Sequence, residues 1–529
     1  MRALAITLVL TSMPVLAPRA ASAGDFMDTR LNFTLTNENV LAKPGETNPN
    51  IPGWRFGRPN SFGVQFFDNY DTRFSGFENL SNLVAYKKGK AGTNWEMEGA
   101  LVLLFNQFSD VTLGVFDNGS YIKSTYFFDQ SRASKQNVAL TVFPMNSDRM
   151  RAGYSYKLSW GGSPVFYKFN PDLPVSSATF VQNQNPVPGA KLQYATDGFY
   201  AYAGAKSTIF RNPKSNEEEA LWGGFFGAGV DVNDMLRIEA NGAVIDRGKN
   251  PKQEVLGEPV TLLGATGQVV LHDGIPVGTS VDFKLYKNDP ASPTPMFSPE
   301  QYPGGVTWLV SSELTALAQT LQSGDKPAAT TRQPAMAGDL NARAKVGFAR
   351  LRLDVSYRTL EFILVNVPSF VPYVDFPQTG DARVKTTPDL FFAAGADYRI
   401  DAIATTLGLT LGVDLPATYK ASSLSSLAGN NPTPALQGPA TVVVRGEGDF
   451  EILPDGKDRA PIFAAKLESM FDLNEFLSAK AQAYYVRDEN RATLVRVCAE
   501  GQDCQYQAFE RKLRNPDQLG FNFTLSARF

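Results

Sequence analysis

Apolar and polar side chains alternate one by one in segment after segment of this chain. In Phe521-Asn522-Phe523-Thr524-Leu525-Ser526-Ala527-Arg528-Phe529, one set of positions holds Phe, Phe, Leu, Ala and Phe, and the other Asn, Thr, Ser and Arg. A period of two is the spacing of an extended strand with one apolar and one polar face. Further apolar faces are Trp95-Met97-Gly99-Leu101-Leu103-Phe105, Leu236-Ile238-Ala240-Gly242-Val244, Leu340-Ala342-Ala344-Val346-Phe348, Leu351-Leu353-Val355-Tyr357, Leu407-Leu409-Leu411-Val413 and Leu477-Ala479-Ala481-Ala483-Tyr485. Met150-Ala152-Tyr154-Tyr156-Leu158-Trp160 reads the same way, with Arg151, Gly153, Ser155, Lys157 and Ser159 between. Small residues on the polar side suit a crowded interior, and no fixed-length repeat accompanies the alternation.

Composition narrows the function classes. Lys+Arg number 50 against 53 Asp+Glu, a net charge of −3 with no basic block, so binding to nucleic acid by phosphate neutralisation is not expected. One His and two Cys cannot build a His-rich zinc site, an iron–sulfur cluster or a disulfide scaffold, and no cofactor or catalytic site is expected. Charged residues are 19% of the chain, below the roughly 25% usual for soluble domains, while aromatics at 12% argue against disorder.

The first residues read as a secretory signal: Arg2, the apolar runs Ala3–Leu10 and Met13–Ala17, then Ala21-Ser22-Ala23. Cleavage after Ala23 would divide the chain into a signal peptide, 1–23, and a mature region, 24–529. Nothing downstream reaches the ~18 consecutive apolar residues of a membrane helix. With this leader and a last segment that alternates and ends in Phe529, the chain resembles bacterial outer-membrane β-barrel proteins of porin-like architecture. The resemblance implies that Phe521, Phe523, Leu525 and Phe529 form the C-terminal signal read by the outer-membrane barrel assembly machinery. It also implies an all-β fold, a closed antiparallel transmembrane β-barrel of about 18 strands with long extracellular loops, each strand ~9–11 residues long and facing outer-membrane lipid. Because the mature start runs at once into Leu31-Asn32-Phe33-Thr34-Leu35, no plug domain is expected ahead of the barrel.

Turn signals place short connections near 117, 145, 234, 274, 349, 401 and 472, and long ones at 162–189, 206–219, 247–265, 288–336, 364–388, 416–460 and 488–518. Matching apolar faces across three hairpins sets Asp231 opposite Arg237, Lys345 opposite Asp354, and Glu468 opposite Lys480, each an opposite-charge pair. In the longest connection, 288–336, Ser311-Ser312-Glu313-Leu314-Thr315-Ala316-Leu317-Ala318-Gln319-Thr320-Leu321 has helical spacing. It is expected to be a short helix, either folded into the lumen as a constriction or lying outside as a lid.

Candidate site residues follow from the polar faces. Arg343, Lys345, Arg352 and Arg358 make a basic stripe, with Arg350 in the turn. They form either a lumenal surface that attracts anions, or one side of a network whose acids come from neighbouring strands; Glu96 and Glu98 are examples of such acids. His272 is expected in an exposed turn rather than in a catalytic pair. Cys498 and Cys504 are expected to form a local disulfide in an oxidising envelope. Trp95, Phe143, Tyr154, Tyr156 and Trp160 are assigned to the lipid side or strand ends. What the resemblance implies is a channel for passive or selective passage of small hydrophilic solutes, anionic ones included. The rival reading is an export conduit or structural barrel of a polysaccharide-secretion or surface machinery complex, passing polymer and meeting envelope protein partners.

Overall fold

The computed structural model describes the strands and most of their shorter connections between residues 28 and 528; outside it lie residues 1–27, 37–77, 108–113, 154–157, 161–186, 283–304, 366–384, 422–439, 498–507, 529 and several shorter stretches. The chain begins with β1 (Asp28–Thr36), β2 (Glu78–Lys90) and β3 (Trp95–Gln107). Next come β4 (Gly114–Asp117) and β5 (Tyr121–Phe127), two segments that both pair with β3. β6 (Asn137–Asn146) precedes a small hairpin of β7 (Met150–Ala152) and β8 (Leu158–Trp160). Long strands follow: β9 (Val187–Ala195), β10 (Phe199–Arg211), β11 (Glu218–Asn233), β12 (Leu236–Lys249) and β13 (Pro259–Asp273). After the short β14 (Val281–Asp282) come β15 (Val306–Gln322), β16 (Thr330–Val346) and β17 (Ala349–Arg358). The helix α1 (Leu360–Val365) separates these from β18 (Lys385–Thr387), β19 (Asp389–Ile400), β20 (Thr405–Leu415), β21 (Ala417–Ala421), β22 (Ala440–Gly446) and β23 (Asp449–Ile452). The last are β24 (Ile462–Asp472), β25 (Leu477–Asp488), β26 (Ala492–Val497), β27 (Ala508–Leu513) and β28 (Asp517–Arg528).

Among the described residues, one nineteen-stranded antiparallel sheet carries the fold. β1 pairs with β2 on one side and with β28 on the other, so the ladder that leaves through β2 comes back through β28. Burial on this sheet is inverted relative to a soluble protein. Leu407, Leu409 and Leu411 of β20 are exposed, whereas Thr406 and Thr410 beside them are buried. Leu467 and Leu519 are 60% and 78% exposed while Lys466 is fully buried. Large apolar side chains on the outside and polar ones within mean that the outer solvent is lipid. Near one rim, Trp95, Tyr126, Phe128 and Tyr194 touch in series at 5.1, 5.5 and 6.5 Å, the aromatic girdle expected where such a barrel meets the interface.

Short turns close the hairpins at the rim where β1 begins. Between β11 and β12 the Asn233 side chain accepts the N–H groups of Met235 and Leu236, both at 2.9 Å, and this turn sets Asp231 opposite Arg237 as expected. Two other expected pairs are corrected. The β16–β17 turn is centred on Gly347, whose φ of +59° favours glycine, so Lys345 lies opposite Arg350 and Asp354 opposite Asn341. The β24–β25 turn is tied by Leu473 N–H to the Leu477 carbonyl at 2.9 Å and by Leu477 N–H to Asn474 Oδ1 at 2.8 Å, which moves Lys480 opposite Met470 and Gln482 opposite Glu468.

Larger corrections concern the connections. Residues 306–322, expected within a long loop and helical over 311–321, are strand β15. Leu314 points outward at 57% exposure, while Ser311, Glu313 and Thr315 point in and are buried, so period two overrides the helical spacing once both neighbours, β13 and β16, supply ladders. No turn sits at 145, inside β6, and 274 opens a long segment instead of a short turn, since Asp273 and Trp308 are partners at the short-turn rim. At the opposite rim, β18, β21, β22 and β23 build a four-stranded sheet, with β26 and β27 paired beside it. Arg459 pins this end by donating to the Pro388 and Pro416 carbonyls, both at 2.8 Å. The expected signal segment, the cysteines Cys498 and Cys504, and Tyr154, Tyr156 and Phe529 lie outside the described residues.

Candidate functional site

The inner face of the sheet holds two contrasting walls. On β10, β11 and β13 the inward positions include Gly204, Gly223 and Gly264, and the β7–β8 hairpin is let into the space they leave. A Cβ on Gly223 would stand 2.5 Å from Trp160 Cδ1, one on Gly264 2.4 Å from Leu158 Cδ1, and one on Gly204 3.0 Å from Met150 Cε. Met150, Ala152, Leu158 and Trp160 are at most 1% exposed and share one apolar cluster with Tyr200, Phe225, Ile245 and Leu317. The Arg247 guanidinium stacks over the Trp160 ring at 5.9 Å. The face of Met150 to Trp160 was expected to meet lipid, as was Phe143, which is also fully buried in this cluster. Alternation marks an apolar face but not which side of the barrel wall it serves; here the apolar partner is the glycine-cleared inner wall.

A third strand completes this lumenal sheet. β14 pairs with β7, Val281 opposite Ala152 and Asp282 opposite Arg151. The hairpin descends from the long-loop rim between β6 and β9, whereas β14 comes from the segment that leaves β13 at the short-turn rim. Arg237 anchors that segment by donating to the Val277 carbonyl at 3.1 Å, and Ile275 packs with Val270 and Leu309. Lumenal structure is therefore supplied from both mouths.

The wall from β16 to β25 is charged. Arg350 holds Asp397 at 2.7 Å, and Arg358 holds Asp389 through two contacts of 3.3 Å with both side chains buried. Arg352 lies flat over Gly395, where a Cβ would stand 2.6 Å from its Nε, and donates to Thr410 Oγ1. Its Nη2 is 4.0 Å from Glu468, whose other oxygen is 3.9 Å from Lys466 Nζ and accepts from Gln482 Nε2 at 3.1 Å. Arg343 is the direct cross-strand partner of Arg352. Buried charges of this kind are tolerated only when partnered, and the acids come from neighbouring strands.

Of the residues singled out from the sequence, Arg343, Lys345, Arg352 and Arg358 come together on this wall. Glu96 and Glu98 do not. They sit on β3, Glu96 with Lys88 at 3.1 Å, and Glu98 accepting from Tyr121 at 2.5 Å with Lys123 at 3.6 Å. Asp389, Asp397, Thr410, Lys466 and Gln482 were missed, because only the ladder register shows that they face the stripe. His272 is half-buried at the end of β13 opposite Leu309, its N–H bonded to the Met235 carbonyl at 2.9 Å. Phe521, Phe523 and Leu525 lie on β28, Phe523 and Leu525 at the seam with β1 opposite Leu35 and Phe33, and Phe523 faces outward.

An apolar outer face, an aromatic rim and a polar, partly filled interior decide the architecture. The fold is a large antiparallel sheet with the apolar outside and polar inside of a transmembrane β-barrel. Similar solved structures include Acinetobacter baumannii OccAB1, at 7% identity, covering 95% of this chain and 96% of that one with a TM-score of 0.43. Pseudomonas aeruginosa OpdK, solved with vanillate, is 8% identical over 95% of this chain and 98% of its own, TM-score 0.41. Pseudomonas aeruginosa OpdQ is 10% identical over 95% and 96%, TM-score 0.39. No protein-family profile and no curated protein matches the chain.

Proposed function

We propose that this chain is a channel for small hydrophilic solutes, formed by a closed barrel of eighteen strands when β4 and β5 are counted as two segments of one. The observation that carries this reading is the division of the lumen. An apolar hairpin is seated on one wall and a charged, hydrogen-bonding wall stands apart from it, so that the hairpin narrows the lumen and the charged wall faces the solute. Narrowing falls to β7, β8 and β14 rather than to a helix at 311–321. Anionic solutes are drawn to Arg343 and Arg352, direct partners on β16 and β17. Charged rings of this kind set selectivity in pores. Transport of this sort needs no catalytic group, and we assign none to His272.

Purified full-length protein in a planar bilayer should conduct ions steadily, and conductance should rise when the hairpin residues 150–160 are replaced by a short Gly/Ser linker. A protein that is silent in both forms would favour the rival reading of a structural barrel. We further infer that Phe521, Phe523, Leu525 and Phe529 serve barrel assembly and that Cys498 and Cys504 pair in the last loop.

A further inference from the structure

The chain doubles back at the short-turn rim. Asp273, the last residue of β13, is an antiparallel partner of Trp308 on β15, whereas Gly274 beside it bridges the same Trp308 in parallel. That reversal uses a φ of +71° at Gly274, where a Cβ would stand 2.5 Å from Thr307 Cγ2. It sends the chain inward: Ile275 is 4% exposed and packs with Val270 and Leu309, fully buried residues of β13 and β15. Two residues on, the Val277 carbonyl accepts from Arg237, whose guanidinium is set by Glu239 at 2.6 Å, Asp231 at 3.4 Å and the Tyr200 ring at 5.3 Å. β14 then reaches β7. The lumenal sheet has β7 in its middle, with β8 on one edge and β14 on the other, and it is separate from the barrel ladder. Because β7 lies buried, at Met150 and Ala152, its backbone groups on the second edge need the partner that β14 supplies.

We propose that Gly274, Ile275, Val277 and β14 form a strap, latched to the short-turn mouth at Val270, Leu309 and Arg237, that holds the narrowing hairpin in its seat from the mouth opposite to the one it enters by. Releasing the latch takes the ladder partner from β7 and widens the lumen, while the barrel ladder, in which β14 has no place, stays whole. The bore is thereby set from the short-turn mouth. Elements that move in a gated protein are drawn from those that can open without global unfolding, and a strap outside the barrel ladder meets that condition. This inference rests on the channel reading.

The test pairs amide hydrogen exchange of the full chain in detergent micelles with its single-channel conductance in planar bilayers. Ile275→Ala strips the apolar latch and is expected to speed exchange over β7 on the order of tenfold, and to raise conductance toward that of the form with residues 150–160 replaced. Ile275→Val keeps most of the contact and should leave both readings near wild type. If Ile275→Ala does not assemble, Gly274→Val, which opposes the chain reversal itself, carries the test. Exchange over β7 unmoved in both variants overturns the proposal, as does faster exchange with unchanged conductance, and either result leaves the channel reading intact; a wild type that does not conduct overturns the channel reading instead.

Discussion

Trp160→Ala tests how the lumenal hairpin is held. The indole is 1% exposed, rests on Gly223 and carries Arg247 over its face. A Trp side chain buries roughly 150–250 Å², which at about 25 cal/mol per Å² corresponds to about 4–6 kcal/mol as an upper bound. Large-to-small substitution of buried Trp costs about 3–5 kcal/mol, and loss of the cation–π contact about 0.5–2 kcal/mol more. Together that is about 3.5–7 kcal/mol, and at 1.4 kcal/mol per tenfold the ratio of seated to unseated hairpin should fall by about two and a half to five orders of magnitude. The barrel ladder contains neither β7 nor β8, so its own heat resistance should change little. Single-channel conductance should therefore rise while the unfolding temperature of the barrel, read by heat-dependent gel migration, stays near wild type. Unchanged conductance in a barrel of unchanged heat resistance would refute the claim that the hairpin narrows the lumen.

Other expectations concern the walls. Arg358→Ala strips the buried Asp389 of its guanidinium and should cost about 3–5 kcal/mol, seen as a lower unfolding temperature, with Arg358→Met plus Asp389→Leu recovering much of the loss. Ala152→Cys with Val281→Cys, made after Cys498 and Cys504 are changed to Ser, should cross-link on oxidation, because the two are direct strand partners at a separation that suits a disulfide; failure to cross-link would contradict the pairing of segments from opposite mouths. Leu411→Arg, on the outer face of β20 at 53% exposure, should destabilise the barrel by about 2–4 kcal/mol in a folding titration into vesicles, and a neutral result would argue that this face does not meet lipid.

The faces of the strands were legible residue by residue. Outward positions of β3, β12, β16, β17, β20 and β25 are those read from period two alone, because lipid on one side and polar lumen on the other impose a strict alternation. Register was less legible. Asp231 and Arg237 face each other because Asn233 announces its turn, but Gly347 and Asn474 each shift their hairpin off the pairing that charge suggested. Alternation is also silent about which apolar environment a strand meets. The segment 150–160 carries the same pattern as a lipid-facing strand, yet Met150, Ala152, Leu158 and Trp160 are buried inside, and only the glycines of β10, β11 and β13, far away in sequence, explain why. The charged wall was half visible for the same reason: Arg343, Lys345, Arg352 and Arg358 share one hairpin, whereas Asp389, Asp397, Lys466 and Glu468 join them only through the ladder.

The most direct test of the central claim is ion conduction by the purified wild-type protein in a planar bilayer, compared with the form lacking residues 150–160. A conducting wild type whose conductance rises when the hairpin is removed is the predicted result. No current through either form, with the barrel shown to be folded, would contradict a lumen open to water and solute.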